Sequence, residues 1–328
     1  MCYKIVVQKK NEEKLKKKLD EVGIPTYMRG FFTTTIKSKA GAINYLGVIK
    51  DLLHYFMEGK IINRNSISDI KPEDFSEIMA ENITEYLEIK ENNGMSPTTL
   101  ETRKNIIRSF WNYISRVKGS NIAKDFFDDV TYSGISSSDN NLVKKLPSNE
   151  QIKQLEEKIS NKTDDFLRIR NLSIVRLLKG SGLRESELVG LELKDLFLNE
   201  DIPYVKTVRK GKYREMEARN VFLTNDAKEA IVEWLEVRNE FEGVENLNAL
   251  FITKKLKRMR ESDVMKMFKS ASNSELSPHM MRHWYATVMA KKLGVVFTQQ
   301  NLGHTSMNTT INNYANGSYE AKDILASM

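Results

Sequence analysis

Apolar residues recur at helical spacing through most of the chain, and polar stretches between them mark its divisions. From about Lys39 to Tyr132 the pattern is helical throughout. Leu46, Ile49, Leu53 and Phe56 form one apolar stripe that stops at Gly59. Ile83, Tyr86, Leu87 and Ile89 predict a second helix, ended at Asn92-Asn93-Gly94. Ser96-Pro97 is a start signal, a capping serine followed by proline at the first helical position. Ile106, Phe110, Tyr113, Ile114 and Val117 form the buried stripe of the helix that follows. Ahead of this region, KIVVQ reads as a short strand and NEEKLKKKLDEVG as an amphipathic helix with Leu15, Leu19 and Val22 on one side. Residues 1–38 are an N-terminal extension of uncertain fold, whose lysines read as a solvated face.

Residues 133–146, SGISSSDNNLVKKL, are rich in Ser, Asn and Asp and read as an interdomain linker. Pro147-Ser148-Asn149-Glu150-Gln151 opens a second domain, with Ser148 as cap and Gln151 at the capping-box position. Its first helices carry Leu167, Leu172, Val175 and Leu178, break at Gly180-Ser181-Gly182, and resume in ESELVGLEL with Arg184 at the start. Residues 202–208 and 214–223 predict a hairpin with Lys210-Gly211-Lys212 at its tip. Thr224-Asn225-Asp226 caps a helix carrying Ile231, Trp234 and Leu235, and a basic helix is expected around Lys254 to Lys269. Ser277-Pro278 repeats the cap-plus-proline start. The helix it opens is predicted to end at Gly294, after cations in the last turn. The expected fold class is mainly α with a small antiparallel β-sheet in an α+β second domain, preceded by a helical first domain.

Composition narrows the function. The 328 residues suffice for two domains, and 40% hydrophobic with 29% charged residues is a globular, soluble composition. No apolar run is long enough to span a bilayer and MCYKIVVQKKNEEK lacks a signal-peptide layout, so a cytoplasmic protein without membrane contact is expected. Cys2 is the only cysteine, which excludes an intrachain disulfide and a cysteine-based zinc site. A net charge of +7 is compatible with nucleic acid as partner. Thr98, Thr99, Arg103, Lys104 and Arg108 lie largely off the apolar stripe of their helix, a surface suited to phosphate contacts and groove reading.

Three of four histidines, His279, His283 and His304, fall between Ser277 and Tyr314. His279 sits in a first helical turn with Arg282 on the same face, and helix-end amides beside an imidazole and a guanidinium make an anion site. His279 and His283, four apart, raise the possibility of zinc. Met280 stands where a zinc hydrolase needs its glutamate, and no acidic third ligand is near, so no metal is expected. Singly, each residue has an ordinary reading as helix cap or surface ion pair.

Their order is more specific. Gly182-Leu183-Arg184-Glu185-Ser186-Glu187-Leu188, a basic hairpin tip at Lys210, His279-x-x-Arg282-His283, Leu302-Gly303-His304 and then Tyr314 together resemble the tyrosine recombinase (phage integrase, Xer-like) family. The resemblance covers about 178–314 by motif and 39–132 by architecture, where the family carries a helical, SAM-like core-binding domain. It implies that Tyr314 attacks a DNA phosphate and forms a 3′-phosphotyrosyl bond. Arg184 and Arg282 would hold the phosphate oxygens, Lys210 would protonate the leaving oxygen, and His279 would assist proton transfer. His304 would bond the phosphate or the tyrosine, and Glu187 would orient its neighbours. The covalent intermediate conserves bond energy, so no cofactor, ATP or metal is implied. Double-stranded DNA is the implied partner, met by a homo-tetramer on paired sites that is monomeric or weakly associated when free. The interval from His304 to Tyr314 is one residue longer than expected of the family, which leaves Tyr319 as a second candidate nucleophile. Lys212, grouped with the DNA-binding residues, is the alternative to Lys210. The last residues, AKDILASM, carry a small apolar stripe that in the family docks on a neighbouring protomer. The implied role is integration or excision of a mobile element. Xer-like dimer resolution, a type IB topoisomerase-like activity and a DNA-binding regulator with a decayed site are the alternatives.

Overall fold

A cap, a breaker or a left-handed residue bounds most helices of the chain. The computed structural model describes residues 3–123, 125–131, 146–208 and 218–303. The chain divides into two units, Met1–Asn140 and Asn141–Met328. No helix among the described residues is long and apolar enough to cross a membrane.

The first unit is helical: α1 (Tyr3–Val22), α2 (Thr26–Gly30), α3 (Lys39–Glu58), α4 (Ala80–Asn92) and α5 (Pro97–Ile114), joined by short 3-10 and π turns. Its core gathers Leu15 and Leu19 from α1, Phe31 and Phe32 from the π turn, Leu46, Ile49, Leu53 and Phe56 from α3, and Phe110 and Trp111 from α5. Residues ahead of Lys39 therefore pack into the same core as those behind it. KIVVQ belongs to α1 and is not a strand. The described residues of this unit contain no strand to pair with it. Leu15 and Leu19, one turn apart, bury a helical face and leave Val6 and Val7 exposed at 48% and 37%. Gly59 ends α3 with a negative φ of −74°, and the left-handed turn falls on Lys60 instead. Ser96 accepts from the Thr99 amide at 3.4 Å and starts α5 as expected, but the helix stops at Ile114, short of Val117.

In the second unit, Ser148 and Gln151 exchange hydrogen bonds of 3.1 and 3.0 Å and open α6 (Asn149–Ser160). The mostly buried α7 (Asp165–Ser181) and the single-turn α8 (Glu185–Leu188) follow. The chain then forms a three-stranded antiparallel meander, β1 (Leu196–Phe197), β2 (Tyr204–Val208) and β3 (Ala218–Phe222), in which Val205 faces Val221 and Thr207 faces Arg219. The two-residue β1 is too short to show in the pattern. α9 (Asn225–Asn239) is capped by Thr224, whose hydroxyl accepts from the Ala227 amide. The expected basic helix begins only at α10 (Glu261–Ala271). Ahead of it the chain turns tightly, with left-handed Leu256 and a 2.8 Å bond from the Thr253 amide to the Lys257 carbonyl. α11 (Pro278–Leu302) starts at Ser277 as predicted, kinks at left-handed Gly294, and resumes to end on left-handed Gly303.

Candidate active site

The cluster forms where α7 ends, β3 runs and α11 closes. Gly182 ends α7 at φ +65°, and a Cβ there would come within 2.5 Å of the Tyr285 ring, so the tight exit from the helix requires glycine. The exit leaves Arg184 extended at the start of α8, where the helix-opening amide of Arg184 donates to Glu187 Oε2 at 2.9 Å. The Arg184 side chain folds onto the same carboxylate, Nη1 to Oε1 at 3.1 Å.

Glu187 is the hub. Its side chain is fully shielded, and three guanidiniums face it: Arg184 at 3.1 Å, Arg219 at 3.2 Å and Arg282 at 3.9 Å. Desolvation pushes its carboxyl upward, but Arg219, the Arg184 amide and the Arg184 and Arg282 charges outweigh that and hold it below the ordinary glutamate value. It is therefore ionised. Arg282 is 3% exposed, and its fork is fixed by backbone carbonyls, Nη1 to Gly182 at 2.5 Å and Nη2 to Leu302 at 2.8 Å. Burial first, then the neighbouring Arg184, pushes Arg282 down to about 9, opposed by Glu187; it stays cationic at neutral pH.

His279 and Arg282, expected on one face, separate by depth: Arg282 turns inward, while His279 is exposed. The His279 ring instead meets His283 edge to face, with centroids 4.5 Å apart. The structure thus brings together Arg184, Glu187 and Arg282, with His279 on the first turn of the helix that supplies Arg282. Lys210, Lys212, His304, Tyr314 and Tyr319 lie outside the described residues. Two further residues of the cluster, half-buried Arg219 and buried Asn301, carry no motif. Arg219 donates to Glu187, and Asn301 accepts from the Phe222 amide at 2.8 Å and donates to the Tyr285 hydroxyl at 2.5 Å.

On the first unit, α5 presents a polar face. Thr98 and Arg108 are exposed there, and the Thr99 hydroxyl lies 2.8 Å from the capping Ser96. Lys104 is partly buried. Arg103 departs from the expected surface. Only 15% of its side chain is exposed, and it pairs with Asp51 at 2.5 Å, beside the Tyr86 hydroxyl. Its position one step closer to the apolar stripe draws it into the packing. A groove of about 360 Å³ runs along the exposed face, lined by Thr35, Asn105, Arg108, Asn112 and Arg116 among others. Asn105 and Asn112 on α5 and Arg116 just past its end thus share this groove with Arg108.

Residues 147–321, more than half of the chain, match the family described as "Phage integrase family". Over 223 residues, 66% of its length, the chain is 29% identical to the "Tyrosine recombinase XerC" of Vibrio cholerae serotype O1, and it covers 67% of that protein. To the protein of the same name from Salmonella typhi it is 30% identical, covering 69%. Its fold is similar to that of a XerH site-specific recombinase bound to a difH substrate, with a TM-score of 0.65 at 21% identity over 89% of this chain and 80% of that one. It is also similar to a lambda integrase dimer bound to a core site, with a TM-score of 0.62 at 15% identity over 90% and 94%. The buried arginine–carboxylate cluster falls wholly inside the matched residues, and by that match the chain belongs to the phage integrase family of tyrosine recombinases.

Proposed function

We propose that the chain cuts and rejoins specific sites in double-stranded DNA by way of Tyr314. The Tyr314 hydroxyl attacks the phosphorus, the bond to the 5′-oxygen breaks, and a 3′-phosphotyrosyl link replaces it. Lys210 delivers a proton to the departing 5′-oxygen, His279 assists removal of the tyrosine proton, and His304 hydrogen-bonds the phosphate or the tyrosine. Arg184 and Arg282 stabilise the charge that builds on the phosphate. Rejoining reverses each step, so bond energy is conserved throughout.

The observation that carries this reading is the ionised, shielded Glu187 facing three guanidiniums. One carboxylate among three cations leaves net positive charge in a low-dielectric setting whose geometry is already fixed, and this is what a phosphoryl-transfer transition state requires. Thr98 and Arg108 on α5 and Arg116 just past its end supply phosphate contacts from the first unit, and Asn105 and Asn112 read base edges; the groove that Asn105, Arg108, Asn112 and Arg116 share supports this. Strand exchange takes place in a homo-tetramer on two DNA sites.

The reading extends to integration or excision of a mobile element. The alternative is resolution of chromosome or plasmid dimers. A suicide duplex carrying paired half-sites tests the common core: a covalent protein–DNA adduct that forms in EDTA, with recombinant products, is expected. Sequence-independent relaxation without recombinants would instead indicate topoisomerase-like activity, and binding without an adduct a decayed site. Plasmids carrying direct repeats of the site, as against an element end paired with a target, then separate resolution from integration.

A further inference from the structure

The geometry points to Arg219 as a positioning residue that locks the root of the β2–β3 hairpin, the Glu187 cluster and the end of α11 into one register. The inference rests on the proposed roles of Lys210 and His304. Arg219 is the second residue of β3, opposite Thr207 of β2, and only 11% of its side chain is exposed. One arm of its fork, Nη2, donates to Glu187 Oε2 at 3.2 Å, and the other, Nη1, donates to the Asn301 carbonyl. Gly303 lies flush against the same side chain: a Cβ there would sit 2.7 Å from Arg219 Nε, at a φ of +65° that already favours glycine.

Each partner leads in sequence to a proposed catalytic group. Val208 and Ala218 form the last described pair of the hairpin, and Lys210 falls between them in the chain. Gly303 directly precedes His304. Glu187 touches Arg184, and Arg282 holds the Leu302 carbonyl from the other side. Asn301 fastens the same junction through Phe222 and Tyr285. A planar fork can hold a carboxylate and a carbonyl at a fixed angle, whereas an ammonium holds at most a point contact with each. Arg219 therefore does more than neutralise Glu187: it sets the distance from β3 to both ends of the cluster.

The test uses the full-length chain and a suicide duplex bearing its own cleavage site, mapped by sequencing its covalent adducts. Arg219→Met keeps the bulk and removes the fork. Its single-turnover adduct formation should fall on the order of 10²-fold, the scale of a roughly 1 Å misplacement. Arg219→Lys should recover about tenfold of that loss. A second duplex replaces the bridging 5′-oxygen with sulfur, whose thiolate leaves without a proton. This duplex should restore Lys210→Met, and it should restore Arg219→Met to within about tenfold of wild type, because a displaced general acid is then irrelevant. A purely structural role would leave Arg219→Met equally slow on both duplexes. Rescue of Lys210→Met without rescue of Arg219→Met would overturn the inference, as would a wild-type rate for Arg219→Met on the oxygen duplex. Failure to rescue Lys210→Met would remove the general-acid reading itself and the inference with it. If Arg219→Met loses its thermal unfolding transition, Arg219→Lys, which keeps the charge, carries the same comparison.

Discussion

Replacing Glu187 by glutamine removes one charge from a site where four charged groups meet. At 3.1–3.9 Å and an effective dielectric of about 20, each guanidinium attracts the carboxylate by roughly 5 kcal/mol before desolvation is counted. Desolvation of the buried ions cancels much of that. Removing one partner nevertheless leaves the others buried and repelling, which costs about 3–5 kcal/mol. Glutamine keeps an oxygen for the Arg184 amide but turns an NH2 toward cationic donors, so the expected loss is about 3 kcal/mol. Urea unfolding reads this through Trp234 and Trp284, with Trp111 of the first unit replaced by Phe in both proteins. At a slope of about 2 kcal/mol per M, the midpoint falls by about 1.5 M. The pH dependence has a definite sign. Glu187 is held below its ordinary value in the folded state, so its stabilisation is present above the ordinary glutamate range and is lost as pH falls through the folded value. Glu187→Gln should therefore flatten the acid limb of the stability profile. A midpoint within 0.3 M of the parent (roughly 0.6 kcal/mol at this slope), with an unchanged acid limb, would refute the hub.

Arg103→Ala should destabilise the first unit by on the order of 1 kcal/mol, discounted for the partial exposure of Asp51, and leave the salt dependence of DNA binding unchanged. Arg116→Ala should do the reverse: thermal stability holds, and the slope of log K against log salt shrinks by about one, as measured by binding titrations at several salt concentrations; Arg108→Ala should give the same slope change together with a loss of about 0.5–1 kcal/mol from its stack on the Phe127 ring. Gly182→Ala combines a left-handed backbone with a Cβ 2.5 Å from the Tyr285 ring, and calorimetry should show a loss of at least about 2 kcal/mol.

Much of this was legible in the chain. Ser96, Ser148 and Ser277 start helices where their side chains accept from amides three residues on, a local rule that tertiary context does not disturb. Ordered motifs mark Arg184, Glu187 and Arg282, and these three side chains meet in the structure. KIVVQ failed because β-branched residues favour a strand only when another strand is there to pair with it, and the leucines that follow decide the segment. Arg219 carries a readable signal: it shares a strand face with buried Val221 two residues on, and an arginine on a buried face needs an internal anion. Asn301 had none, since a buried amide at a helix end looks the same in sequence as a solvated one. Arg103, three residues after Leu100 and four before Ile107, lies nearer the buried stripe than Arg108 does. Its partner Asp51 on α3 does not show in the pattern, because that contact spans 52 residues.

Tyr314 is proposed to form the covalent bond to DNA. Incubating wild type, Tyr314→Phe and Tyr319→Phe with the suicide duplex, followed by denaturing electrophoresis and peptide mapping of the trapped species, tests it directly. An adduct on the peptide containing Tyr314 is expected in wild type and Tyr319→Phe, and none in Tyr314→Phe despite normal DNA binding. An adduct that survives Tyr314→Phe, or that maps to Tyr319, would contradict it.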